Sequence, residues 1–442
     1  MWSRGCTAPE GRTVSKVLKS PVFIVVLAGI LIRIVLMPIL TYDFDISHWA
    51  LIIGNMQSGN DLYGLAGYYY TPIWGYILGF LSLIQDLFLN MGATGMRVTE
   101  MIPIEGLAYP YYTANLTTLS FNIFIKVALL LCDLAVAYIL YWVVKERTGD
   151  TKKATFGMAL WFLCPVVIYM CGIQAQFDTF SVLIFMLAVV AAYKGRYTLA
   201  GFVFATSILL KFFPMFCAIV LVAYVLKKHR EDGQGMRNLA HALIGAVAGV
   251  IIWMLPSILN GTFADALTFV TNRISAQASI IVIANYVAIF IALAGMVFSG
   301  YRMHKSEGDV DADYFKYMFM AIASSMFMGF APQYMLVMIP LLVIYMTDSG
   351  KRRLLICWIL ASVGSVLLAL SLNNFSLFAS LAVDTGWISP EWVINAVHGM
   401  NATFLGITWI YWGAAGASIM MLIGFALIFF FFFEKQIRAR IG

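Results

Sequence analysis

The stretch Thr41-Tyr-Asp-Phe-Asp-Ile-Ser-His-Trp49 sets two carboxylates two residues apart and a histidine three further on. It directly follows twenty mostly apolar residues, 21–40. A carboxylate at the edge of such a run can take the proton of a hydroxyl nucleophile, and a pair can hold a divalent cation. The same aspartates also suit a helix cap before "ISHWALII". Asp43 follows the apolar run by three residues, so it is the first choice for a general base and Asp45 the second. The two acids are expected to hold different roles. His48 lacks the H-x-x-x-H or Cys–His spacing of a zinc site. No cofactor is expected, and a divalent metal at Asp43 and Asp45 is the less favoured alternative.

Ionisable residues within apolar runs come next, because each is costly in hydrocarbon and marks function by default. Arg33 lies in the outer half of the first run. Lys126 and Asp133 lie seven apart on one helical face, a spacing that suits an ion pair. Lys211 stands at the break Lys211-Phe-Phe-Pro214 in the run 198–226. Two arms of about 13 residues rise ~20 Å, so its apex falls near the depth of a lipid phosphate. Snorkelling to water is the plainer alternative for that lysine. Gln174-Ala-Gln-Phe-Asp178 forms a tight turn that brings another carboxylate to the same face, and Arg273 lies in a later aqueous loop. Lys211 and Arg273, which lack sequence-local acidic partners, are the expected phosphate contacts; Asp178 either orients the donor or ties its turn.

The elements that position these residues are membrane helices. Apolar residues are 62% of the chain, charged residues 11%, and mean hydropathy is +0.87. A soluble domain keeps roughly a quarter of its residues charged. The net charge of +6 therefore marks cytoplasmic loops, not nucleic-acid binding. Apolar runs occur at 20–40, 118–142, 155–171, 177–193, 198–226, 239–259, 281–299, 314–347, 354–371 and 404–433. Lys211–Pro214 and Ala331-Pro-Gln-Tyr334 break two of them into hairpins, because proline interrupts the helix ladder. The expected fold is all-α and polytopic with about twelve membrane segments, residues 1–442 forming one domain. With the N-terminus cytoplasmic and "TPIWGYILGF" at the interface, 23 of the 28 Lys and Arg fall inside. The C-terminus is then cytoplasmic too, and residues 41–117 form a large outer loop with interfacial helices, expected to carry the catalytic acids.

Together these positions resemble the GT-C superfamily of polyprenyl-phosphate-sugar-dependent glycosyltransferases over residues 30–345. The likeness is to bacterial polyprenyl-phosphomannose-dependent α-mannosyltransferases and, more distantly, to the GPI mannosyltransferase I catalytic subunit. It is carried by Arg33, the aspartate pair, Asp61-Leu-Tyr63, "YYYTPIWGYIL", Lys126 with Asp133, "WFLCP", "AQFDTFSVLIFMLA", "GRYTLAGFVFATSILLKFFP" and "APQYMLVMIPLL". "DFDISHW" also resembles the D-F-E-x-x-R-H-W of dolichyl-phosphoglucose transferases, one residue shorter. The family's G-Q-F-D reads Ala175-Gln-Phe-Asp178 here, and Tyr69 replaces the Arg of the GPI-type motif.

The resemblance implies an inverting transferase. It moves a sugar, by expectation mannose, from a polyprenyl-phosphate donor to a glycan or glycolipid acceptor at the non-cytoplasmic face. It makes a first-loop aspartate the base and adds Arg33, Lys211, Arg273, Asp178, Gln176, Tyr70, His48, Gln333 and Tyr334 as donor or substrate contacts. A transporter or flippase with a midplane ion site is the alternative, which the one-sided polar mass and the lack of an inverted repeat disfavour. A bacterial plasma membrane is expected, with an ER membrane as the other location.

Overall fold

A computed structural model describes residues 19–63, 68, 70–88, 96–98, 115–267, 279–326 and 332–441. Helices dominate: α1 (Pro21–Ile39), α2 (Asp43–Gln57), α3 (Pro72–Phe88), α4 (Leu119–Thr148), α5 (Thr151–Phe162), α6 (Pro165–Gly172), α7 (Asp178–Tyr193) and α8 (Tyr197–Leu210). They continue with α9 (Ala218–Lys228), α10 (Gly235–Leu259), α11 (Ser279–Lys305), α12 (Val310–Ser325), α13 (Met335–Ser349), α14 (Leu354–Asn373), α15 (Ala379–Thr385), α16 (Pro390–Met400) and α17 (Trp409–Ile441). Two short antiparallel ribbons complete the described residues, one pairing Met96–Val98 with Asn115–Thr117.

Among the described residues six helices are long and apolar enough to cross a bilayer, and the bent pair α5–α6 makes up to seven. The chain is therefore a multi-pass integral membrane protein, but twelve spans are not recovered. Helices α7 and α8 have only 16 and 14 residues, short of the ~20 a span needs. Many of their residues pack on neighbouring helices, and α13 is buried from Met335 to Thr347, so protein takes the place of lipid around them. Helix α3, "PIWGYILGFLSLIQDLF", is likewise a short apolar helix.

The breaks fall where proline places them. Lys211 is extended at the end of α8, and a 3-10 turn, Phe213–Cys217, opens with Pro214 near its start. A second 3-10 turn, Pro332–Tyr334, precedes α13. Local signals fix the ends of α4: Thr118 accepts from the Phe121 N–H, and Gly149 turns left-handed at φ +67°. Asp150 then caps α5 by accepting from the N–H groups of Lys152 and Lys153.

Ion pairs gather the basic helix ends at one end of the bundle. Arg147 on α4 holds Asp309 before α12 at 2.9 Å and Asp348 on α13 at 3.1 Å. Lys228 on α9 holds Asp311 at 2.9 Å. The D-x-D start of α2, the turn before α7 and the α8–α9 break meet at the other end.

Glycine permits the closest helix contact. A Cβ on Gly201 of α8 would lie 1.8 Å from the Ala242 carbonyl oxygen, and one on Gly245 of α10 would lie 1.9 Å from that of Thr198. Neither oxygen can move without its helix, so small residues set the spacing. Gly245→Ala should destabilise the protein by about 1–3 kcal/mol, as overpacking does. A melting curve in detergent checks this, with Gly399→Ala as control, since a Cβ there meets nothing within 4 Å.

Candidate active site

The first turn of α2 carries both acids. Residues 43 and 45 are helical, and at 3.6 residues per turn two neighbours in this spacing diverge by about 200°, whereas an extended backbone would set them on one face. Asp43 points inward at 7% exposure, and its Oδ1 accepts from Ser380 Oγ at 2.5 Å. Asp45 Oδ2 accepts from Gln174 Nε2 at 3.1 Å and Gln176 Nε2 at 2.5 Å. The two carboxylates therefore answer to separate partners.

Lys126 places that turn. Its Nζ donates to the carbonyls of Met37 at 2.9 Å and Leu40 at 2.7 Å, and to Thr41 Oγ1 at 2.8 Å. These are end carbonyls of α1, which a cation satisfies and whose partial negative charge it offsets. The ion pair with Asp133 that the spacing of Lys126 suits does not form. Seven residues rise ~10 Å along a helix, which sets the lysine at the mouth of the bundle and the aspartate deep within it. Two backbone bonds fix the link beyond α1: Thr41 N–H to Leu377 O at 2.8 Å and Tyr42 N–H to Ile173 O at 3.2 Å.

Asp133 instead takes Arg33. The guanidinium donates to Asp133 Oδ2 from Nη2 at 2.8 Å and from Nε at 3.2 Å, and from Nη1 to Phe162 O at 2.8 Å and Gly29 O at 3.1 Å. Both side chains are fully buried. Arg33 is thus occupied in holding α1 to α4 and α5, and it cannot meet a donor phosphate.

The turn Gln174–Phe177 supports the other side of α2. Trp49 Nε1 donates to Ala175 O at 3.1 Å, and the Trp49, Trp74, Tyr70 and Phe177 rings pack together, Trp74 stacked on Phe177 at 4.9 Å. Ala175 is buried with φ +54°, a left-handed conformation that glycine adopts freely and alanine only at a cost.

Lys211 lies against the same turn. Its Nζ is 3.2 Å from Asp178 Oδ2, 4.4 Å from the Phe177 ring centre and 5.1 Å from that of Tyr70. An acidic partner, remote in sequence, therefore does hold this lysine. A small cleft beside the pair is lined by Asp178, Lys211, Phe213, Gln333, Tyr334 and neighbours, which joins both proline breaks at one site. Tyr334 packs on Phe213 at 4.6 Å. His48 sits on the α2 turn with its ring 5.5 Å from that of Trp49. Arg273 lies outside the described residues.

Burial dominates the electrostatics of both acids. It pushes Asp43 up to about 7, against the Ser380 hydrogen bond and the Lys126 charge, with Asp384 adding to the rise. Asp45 rises to about 6, with Gln174, Gln176 and Lys211 opposing burial and Asp178 reinforcing it. Such an acid is poised to accept a proton near neutral pH. Among the described residues, no group of three His, Cys, Asp or Glu gathers to hold a metal.

Ser380 was not legible beforehand. It stands 337 residues from Asp43 in "FSLFASLAVDT", which carries no motif. Gln174 was visible only as part of the turn.

At Ala175, Val should be far worse than Gly. A branched side chain is strained at φ +54°, whereas glycine gains backbone ease about equal to the methyl burial it loses. Ala175→Gly should stay within about 1 kcal/mol of wild type, and Ala175→Val should lose folded protein or activity, read by thermal melting and turnover.

A model of the ALG6, ALG8 glycosyltransferase family matches residues 109–369 of the chain. The match takes in Lys126, Asp133, Asp178, Lys211, Arg273, Gln333 and Tyr334, but neither Asp43, Asp45 nor Ser380. No curated protein compared with the chain matches it.

Proposed function

From the premise that the chain belongs to the ALG6, ALG8 glycosyltransferase family, we propose a specific transfer and a site for it. The family uses lipid-linked sugar donors, so the chain is a membrane glycosyltransferase and the transporter alternative falls away. The proposed reaction moves one hexose from a polyprenyl phosphate to a hydroxyl of a glycan or glycolipid, with inversion, at the non-cytoplasmic face. The charge distribution supports that side, since the D-x-D end of the bundle lies opposite the basic helix ends. The mannosyl expectation gains nothing from the family match. Both that match and the likeness of "DFDISHW" to the dolichyl-phosphoglucose motif favour glucose.

The observation that carries the mechanism is Asp43, a buried carboxylate raised to about 7 on a turn fixed by Lys126. In the proposed step Asp43 takes the acceptor's hydroxyl proton as that oxygen bonds to the sugar C1. The C1–O bond to phosphate breaks, and its electron pair stays on the lipid phosphate. Lys211 stabilises the charge that develops there. Asp178 holds the ammonium in place before the donor arrives, and the Tyr70 and Phe177 rings present it. Gln333 and Tyr334 line the donor's side, and Gln174 and Gln176 keep Asp45 oriented.

Reconstitution with labelled polyprenyl-phosphoglucose and polyprenyl-phosphomannose tests the reading. Release of lipid phosphate with sugar transfer from the glucosyl donor is expected, and transfer from the mannosyl donor alone overturns the choice of sugar. Asp43→Asn keeps the shape but cannot take the proton, so turnover should fall by ~10²–10⁴ while donor lipid still binds. Lys211→Gln should weaken donor use in a folded protein. If Asp45→Asn is dead and Asp43→Asn active, the base is Asp45.

A pH profile gives an independent check. The base works unprotonated, so kcat/KM should hold above pH 7 and fall as pH drops through about 7, roughly tenfold per unit below it. A flat profile down to pH 5 sinks the assignment of Asp43.

A further inference from the structure

We infer that Ser380 is a positioning residue for the base, fixing Oδ1 of Asp43 so that Oδ2 meets the acceptor hydroxyl. The inference rests on the proposed role of Asp43. Ser380 is 2% exposed and stands on α15, beyond the region matched by the family model. Its Oγ donates to Asp43 Oδ1 at 2.5 Å.

The segment carrying Ser380 is tied down independently of that bond. Asn373 Nδ2 donates to the Tyr169 hydroxyl at 2.9 Å, Leu377 O accepts from the Thr41 N–H at 2.8 Å, and Asp384 Oδ2 accepts from the Leu119 N–H at 2.5 Å. These ties flank Ser380 and lead to α6, to the α1–α2 link and to the start of α4. The hydroxyl is thus delivered to a fixed point, and one carboxylate oxygen is committed to it. A carboxylate with one oxygen held presents the other in one orientation, as a base in a displacement requires. The hydrogen bond also favours the ionised form, the form that works as base. The other charges bearing on Asp43 are Lys126 from α4, which assists ionisation, and Asp384 from α15, which opposes it.

The test uses the full-length reconstituted enzyme with the polyprenyl-phosphate hexose that wild type turns over. Ser380→Ala should shift the acid limb of kcat/KM up by about one pH unit, the size expected for one hydrogen bond to a charged group. Its kcat should fall with the donor KM unchanged. Ser380→Thr keeps a hydroxyl and should restore the limb. Thr385→Ala removes a hydroxyl from the same helix, where it donates to Leu381 O at 2.7 Å, and should leave the limb in place. Should Ser380→Ala fail to fold, Ser380→Cys, a weaker donor of similar size, reads the same shift. A loss uniform across pH, or no loss, overturns the inference while Asp43→Asn stays inactive. An active Asp43→Asn enzyme overturns the base assignment and this inference with it.

Discussion

The three hydrogen bonds of the Lys126 ammonium are the constraint on which the site depends. Two go to end carbonyls of α1 and one to the hydroxyl of Thr41, so a single buried cation ends one helix and sets where the next begins. Had α1 run one turn further, the first acid of the D-x-D would face another direction. The same charge lies close enough to Asp43 to oppose the protonation that burial favours. Placement and tuning of the acid thus come from one group.

Around that clamp the site is assembled from chain breaks. Four irregular joints contribute: the α1–α2 link, the left-handed turn at Ala175, the extended Lys211 and the 3-10 turn at Pro332. Irregular backbone leaves polar groups that lipid cannot satisfy, so such joints survive only where protein or water surrounds them. Each joint here is enclosed by aromatic rings or bonded to its neighbours. Hydrogen bonding forces the same place to host both the breaks and the polar side chains.

Much of this was legible in sequence. The positions of Lys211, Asp178, Gln333 and Tyr334 followed from proline breaks and tight turns, and the structure brings those four to one cleft. Charge in an apolar run marked Arg33 as a phosphate contact, but the structure buries its guanidinium on Asp133. Same-face spacing on α4 proposed Lys126 for Asp133, while the actual partner of Asp133 comes from a different helix. Helical periodicity reports which face a residue occupies, not what packs there. The link of Asp43 to Ser380 was beyond reach for a related reason, since a single serine among small residues has no pattern. The twelve expected membrane segments include short hairpin arms such as α8, and among the described residues only six helices, or seven with the bent pair, are long and apolar enough to cross alone.

The Arg33–Asp133 pair has a consequence for how the protein is made. Its two charges lie 100 residues apart, one on the first helix of the described chain and one on α4. At synthesis rates of ~5–20 residues per second, the arginine waits roughly 5–20 seconds before its carboxylate emerges. During that interval an unpaired guanidinium in hydrocarbon is costly, so α1 is poorly held at its final depth. The arrival of α4 supplies both the counter-charge and, through Lys126, the cap for the end of α1. Insertion of the first helix is therefore completed by a later one, and the turn that bears the acids takes shape only when the two meet.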